Sequence, residues 1–158
     1  MDTRTAVSTT AAVLATAVVG SVASTGAQSR WFRRLDKPSF QPPGAVFGPV
    51  WTVLYTDIAV TGSLALDRLR EDDPAEAAAY RRALAVNLVL NASWSWVFFR
   101  ANRLPAAVVV AGALAASSID LVRRTARAHR GAGVTLAPYA AWCTFATVLS
   151  TALWRRNR

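Results

Sequence analysis

At 158 residues the chain is of single-domain length, and 53% hydrophobic against 17% charged residues gives it ample apolar material for a core. Its net charge of +9 comes largely from arginine pairs at the edges of apolar blocks (Arg33 and Arg34, Arg81 and Arg82, Arg123 and Arg124, Arg155 and Arg156), which is the placement of headgroup anchors and not of a nucleic-acid-binding stripe. A mean hydropathy of only +0.27 averages over these clusters and conceals the blocks between them, while the single cysteine, Cys143, excludes an intrachain disulfide and reads as a small buried apolar residue.

Five stretches of near-span length with few charges follow in chain order: residues 6–26, 47–66, 83–99, 104–122 and 134–154. Each is long enough to cross a bilayer of roughly 30 Å as a helix. The expected fold is therefore all-α, an integral membrane bundle of five transmembrane helices forming one domain over residues 1–158. The first stretch, preceded by MDTR and rich in small residues, also resembles a signal peptide. Short connections make successive helices antiparallel neighbours.

Two connections have a character of their own. Residues 28–46 contain WFRRLDKPSFQPP, a basic, proline-punctuated run with three aromatics that is suited to sit over something as a lid. Residues 67–82, DRLREDDPAEAAAYRR, form a charged tract in which Pro74 opens the next helix. Lys and Arg bias sets membrane orientation, but nine such residues fall on each side, so the charge rule gives a tie.

Within the third stretch, Asn87, Asn91 and Trp94 fall at i, i+4 and i+7 and share one helix face. Amides in hydrocarbon need partners, so this face turns inward, where the amides bond either neighbouring helices or a ligand. Of six tryptophans, Trp154 beside Arg155 reads as an interfacial anchor, whereas Trp51, Trp94 and Trp142 lie within spans and Trp31 lies in the lid-like loop. Rings converging from several helices would line a flat apolar cavity. Asp57 and Asp120 are intramembrane carboxylates; Arg123 and Arg124 are placed to pair with Asp120, and Asp57 has no neighbour in sequence to do the same. His129 is the only histidine and sits among arginines in a short loop, which argues against a histidine metal site or a Ser-His-Asp triad. No catalytic residue and no required cofactor is expected.

Three blocks together resemble the TspO/MBR family of tryptophan-rich sensory or translocator proteins. WFRRLDKPSFQPPGAVFGPVWTVLY is similar to the family's W-Y-x-x-L-x-K-P-x-W-x-P-P…F-x-P-V-W-x-x-L-Y block, NLVLNASWSWVFF to its Q-L-x-L-N-x-x-W…F-F block, and APYAAWCTFATVL to its P-Y-x-x-W-x-x-F-A block. The resemblance implies five membrane helices with the first retained, homodimers, and a cavity beneath the first loop that binds tetrapyrroles such as protoporphyrin or haem. By position it implies Trp31, Pro42, Pro43, Trp51, Asn91, Trp94, Trp142, Phe145 and Ala146 as ligand-binding residues. It implies binding in the service of sensing, sequestration or transport; light- or oxygen-dependent porphyrin degradation and a regulatory or structural membrane role are the alternatives. Ser150 and Thr151 stand where animal members carry Asn and Tyr of a sterol-recognition stretch, so the expected ligand is a tetrapyrrole before a sterol.

Overall fold

In the computed structural model, residues 2–158 are described, and they are helical almost throughout, with no strand among them. Five long helices are α1 (Thr3–Ser24), α3 (Gly44–Asp72), α4 (Pro74–Ser95), α5 (Leu104–Ala128) and α6 (Arg130–Arg156). A sixth, the short α2 (Arg30–Arg34), lies inside the lid-like loop. The expected spans 47–66, 104–122 and 134–154 fall within α3, α5 and α6, which run further than the apolar blocks do, whereas 6–26 passes the end of α1 into a 3-10 turn (Thr25–Gln28) and 83–99 passes the end of α4 into a π-helical turn (Trp96–Arg100). The charged tract at 67–82 is helical on both sides of a single residue: α3 continues to Asp72, and the Asp73 carboxylate caps α4 by accepting from the Ala75 and Glu76 amides at 2.9 and 3.2 Å, with Pro74 in the first turn. His129 plays the same part for α6, where its Nδ1 accepts from the Ala132 amide at 3.1 Å.

The long helices run alternately up and down, with α6 against α5 the most extensive pairing and α1 packed on both α3 and α4. In the α5–α6 hairpin, Gly133 lies so close to the Ala126 backbone that a side chain there would collide with it. Ala107, Ala111 and Ala115, a strip of the kind that mediates helix contacts, are buried within their own chain and so face no second copy. At the α4–α5 turn, Asn102 adopts φ 55°, a left-handed conformation that asparagine tolerates better than most residues.

The interior mixes polar and apolar groups, whereas large apolar side chains point outward from all five long helices. Val18, Val53, Val89, Val109 and Val134 are each more than 60% exposed. A soluble bundle would bury such side chains; this one turns them to lipid. Thr3–Gln28, Leu104–Ala128 and Arg130–Arg156 are each long and apolar enough to cross a membrane, which makes this a multi-pass membrane protein. By composition α3 and α4 fall short of the five-span expectation, because Asp57 on α3 and Asn87, Asn91, Ser93 and Ser95 on α4 lower their apolarity.

Candidate functional site

A cavity of about 690 Å³ lies beneath the 28–46 loop, bounded by α1, α3, the end of α4 and the end of α6. That volume is within the roughly 300–1,000 Å³ of small-molecule sites. Two stacked aromatic pairs supply much of its wall. Trp51 and Tyr55, one turn apart on α3, stack at 5.3 Å and 29°; Trp94 and Phe98 stack at 5.4 Å and 25°. Phe98 is followed by Phe99, whose ring meets it edge-on at 4.8 Å, and both line the cavity. Residues Trp96–Arg100 form a π-helical turn ending α4, and this wider winding lets consecutive phenylalanines contribute to the same wall. Gly26 makes room for that turn, since a Cβ there would lie 2.5 Å from the Phe99 carbonyl oxygen.

The cavity floor is a hydrogen-bonded network spanning four helices. Tyr55 Oη donates to Asn91 Oδ1 at 2.8 Å, Asn91 Nδ2 donates to Tyr139 Oη at 3.1 Å, and Tyr139 Oη donates to Asn87 Oδ1 at 2.7 Å. Asn87 Nδ2 then reaches the Ser118 and Ser117 hydroxyls at 3.0 and 3.2 Å. Both asparagines are therefore interhelical connectors. Asn91 also borders the cavity, through an amide already bonded at each end. Satisfied in this way, buried polar groups fix the relative positions of α3, α4, α5 and α6.

The roof is the loop. Ser29 Oγ caps α2 by accepting from the Phe32 amide at 3.2 Å. At the other end of α2, the Lys37 ammonium donates to the Phe32 carbonyl at 2.8 Å and lies 4.8 Å from the Phe32 ring centroid. The C-terminal end of the chain secures the rest: Asn157 accepts from the Asp36 amide at 2.9 Å and donates to the Asp36 carbonyl at 3.0 Å, while Arg156 lies 3.3 Å from the Asp36 carboxylate. Lys37, the only lysine in the chain, lines the cavity, whereas Arg33 turns its guanidinium to the Gln28 carbonyl. Gln41 also lines the cavity, and its Oε1 is buried without a hydrogen-bond partner.

Of the residues expected at the site, Trp51, Asn91 and Trp94 meet around this cavity. Trp31, Pro42, Pro43, Trp142, Phe145 and Ala146 lie outside its lining. Trp31 backs the wall, with its ring edge-on to Phe98 at 5.9 Å. Trp142 and Phe145 pack on one another at 5.4 Å, and Trp142 lies 5.8 Å behind Phe47, the ring that faces the cavity. Pro43 precedes α3 and Pro42 precedes Pro43, so both fix the loop's entry into that helix. Trp94 Nε1 donates to Ser150 Oγ at 3.3 Å, tying α4 to α6 at the cavity edge. Asp120 pairs with Arg124 at 2.7 Å, as its spacing suggested, and Asp57 is half-buried outside the cavity.

Helical phase could have found Phe98 and Tyr55: Asn91, Ser95 and Phe98 follow one face of α4, as Trp51 and Tyr55 follow one face of α3. The share taken by α1, through Ala17, Gly20, Ser21 and Ser24, has no comparable signal, because small residues mark no face.

This arrangement of a loop roof, a tryptophan-lined cavity and an asparagine-tyrosine floor accompanies a match of the TspO/MBR family model to residues 8–155. The chain belongs to the TspO/MBR family. It is 34% identical to the human Translocator protein over 148 residues, covering 88% of this chain and 82% of that one. It is 31% identical to the Tryptophan-rich protein TspO of Archaeoglobus fulgidus, with 92% of each chain covered, and 29% identical to Protein CrtK of Rhodobacter capsulatus, covering 87% and 83%. The match thus runs from within α1 to the last turn of α6 and includes the roof, and it stops just short of Arg156 and Asn157.

Proposed function

We propose that this TspO/MBR protein binds tetrapyrroles within the membrane, in the service of their sensing, sequestration or transport, with all five long helices crossing the bilayer. Exposed valines on α3 and α4 support the five-helix reading, since those helices present lipid-compatible side chains of the same kind as the three more apolar ones. The observation that carries the ligand assignment is the pairing of flat aromatic walls with a single ammonium in the roof. A porphyrin is a broad aromatic plate with acidic side chains at one edge. Its ring stacks on Trp51 or Trp94, and a carboxylate at that edge is drawn to Lys37.

No histidine lines the cavity, and His129 lies in the α5–α6 turn at the opposite end of the bundle. Recognition through ring stacking and carboxylate charge, without an imidazole, suits free-base protoporphyrin and leaves haem without axial ligation from that residue. The human relative is named Translocator protein, which supports a role in moving a cargo, and the archaeal one Tryptophan-rich protein TspO, a composition that the six tryptophans of this chain share.

The test is titration of detergent-purified protein with protoporphyrin, following tryptophan emission and porphyrin absorbance in darkness and in light. Saturable quenching in darkness with intact porphyrin bands is expected. Unsaturable quenching would overturn the binding reading, and bands that bleach only in light and only with protein would reassign it to degradation.

A further inference from the structure

The cavity's roof is closed and one of its sides is not. Phe32, Lys37 and Gln41 cover it from the loop, and the loop is tied down through Asp36 and Asn157. Between α1 and α3, by contrast, Ser21, Gly44, Gly48 and Thr52 line the cavity and are also exposed. The three α3 positions recur every four residues, so they mark a slot running roughly 12 Å down the helix from the roof at 1.5 Å per residue.

A Cβ at Gly44 or Gly48 would meet nothing within 4 Å, so neither glycine is there to let another element approach. The slot is open space. Its hydroxyls are bonded within their own helices: Ser21 Oγ donates to the Val18 carbonyl at 2.8 Å and Thr52 Oγ1 to the Gly48 carbonyl at 3.0 Å. With these donors satisfied within their own helices, the rim can face hydrocarbon. Val18, Val22 and Val53, on the same two helices, are 61%, 49% and 68% exposed, which places the opening on a lipid-facing surface.

We propose that this slot is a lateral portal through which a flat amphipathic acid dissolved in the bilayer enters the cavity edge-on from one leaflet, without crossing the roof. The proposal rests on the tetrapyrrole reading and adds a route to it. An aromatic plate sliding sideways keeps its carboxylates at headgroup level, where Lys37 receives them, while its ring passes from lipid to the Trp51 and Trp94 walls without entering water. The glycines are then a gate held open by the absence of side chains.

The route is tested by the kinetics of protoporphyrin binding to the full chain in lipid nanodiscs, read by stopped-flow quenching of tryptophan emission. Gly48→Phe and Ser21→Phe obstruct the slot from its two sides without adding a tryptophan, Gly48→Ala is the small control, and Asn157→Ala loosens the roof. The portal predicts that both phenylalanine variants slow association and dissociation together, by about 10-fold or more, with affinity changed far less, because an obstructed path acts on both rates. Gly48→Ala slows association far less than Gly48→Phe does, and Asn157→Ala keeps the wild-type association rate. Wild-type rates in both phenylalanine variants overturn the portal, as does faster association in Asn157→Ala, which would place entry through the roof. An affinity loss confined to faster dissociation also overturns it, since the new rings would then be occupying the cavity. Failure of the wild type to bind at all is a separate result, and it removes the tetrapyrrole reading itself.

Discussion

Tyr139→Phe deletes one oxygen from the centre of the bundle and leaves the ring's shape in place. That oxygen donates to Asn87 Oδ1 at 2.7 Å and accepts from Asn91 Nδ2 at 3.1 Å, and Tyr139, Asn87 and Asn91 are 0%, 0% and 3% exposed. Interhelical hydrogen bonds in membranes average about 0.6 kcal/mol each, so the two bonds together account for about 1.2 kcal/mol. Two amide atoms also lose a partner in a site without water, a penalty of about 1–3 kcal/mol per orphaned group in general. The lower end of that range applies, because the other end of each amide keeps its bonds, Asn87 Nδ2 to Ser117 and Ser118 and Asn91 Oδ1 to Tyr55, and both side chains stay in place. The expected loss is about 2 kcal/mol, or roughly 30-fold in the folded-to-unfolded ratio. Reversible unfolding in mixed micelles, followed by tryptophan emission, measures it. A double-mutant cycle with Asn87→Leu should recover part of the loss as coupling, since removing both partners removes the orphaned acceptor. A variant within about 0.5 kcal/mol of wild type would show that the network contributes no more than an ordinary surface contact.

Lys37→Met should weaken protoporphyrin binding and flatten its salt dependence, whereas Arg33→Met should do neither, because only the lysine lines the cavity; titration of both variants at low and high salt decides it. The size of the lysine effect is about 0–1 kcal/mol if the contact stays solvated. Asn157→Ala removes both hydrogen bonds to Asp36, so amide hydrogen exchange in residues 35–41 should rise while exchange in α5 and α6 stays at the wild-type level; unchanged exchange in the loop would mean that the roof is held elsewhere.

The helices were legible because lipid imposes length: a span needs about 20 predominantly apolar residues, and five such blocks stand out between arginine clusters. Their ends were less so. The tract from Asp67 to Arg82 is polar enough to read as a loop, yet outside the hydrocarbon a helix gives up nothing by being charged, and Asp73 supplies a cap in one residue. The inward face of α4 followed from spacing, but spacing could not say whether Asn87 and Asn91 served neighbouring helices or a ligand. That depended on Tyr55 and Tyr139, 36 and 48 residues away from Asn91 in the chain. The resemblance placed Trp142 in the cavity, where the structure has Phe47 in front of it, a relation between α3 and α6 that no local pattern carries. The π-helical turn at Trp96–Arg100 was likewise invisible, since its five residues read as ordinary helix.

The most direct measurement of a tetrapyrrole site beneath the roof is protoporphyrin affinity in nanodiscs for Trp51→Ala, Trp142→Ala and Trp154→Ala, compared with cholesterol on the wild type. Trp51 faces the cavity, Trp142 stands behind Phe47, and Trp154 lies outside the lining near the end of α6. Loss of a stacking ring should cost about 0.5–1.5 kcal/mol beyond the area lost, so Trp51→Ala should bind about 2- to 10-fold more weakly, Trp142→Ala by a smaller factor, and Trp154→Ala like wild type. Cholesterol should bind the wild type more weakly than protoporphyrin does. Equal protoporphyrin affinities in all three folded variants, or cholesterol at or above protoporphyrin in affinity, would contradict the account.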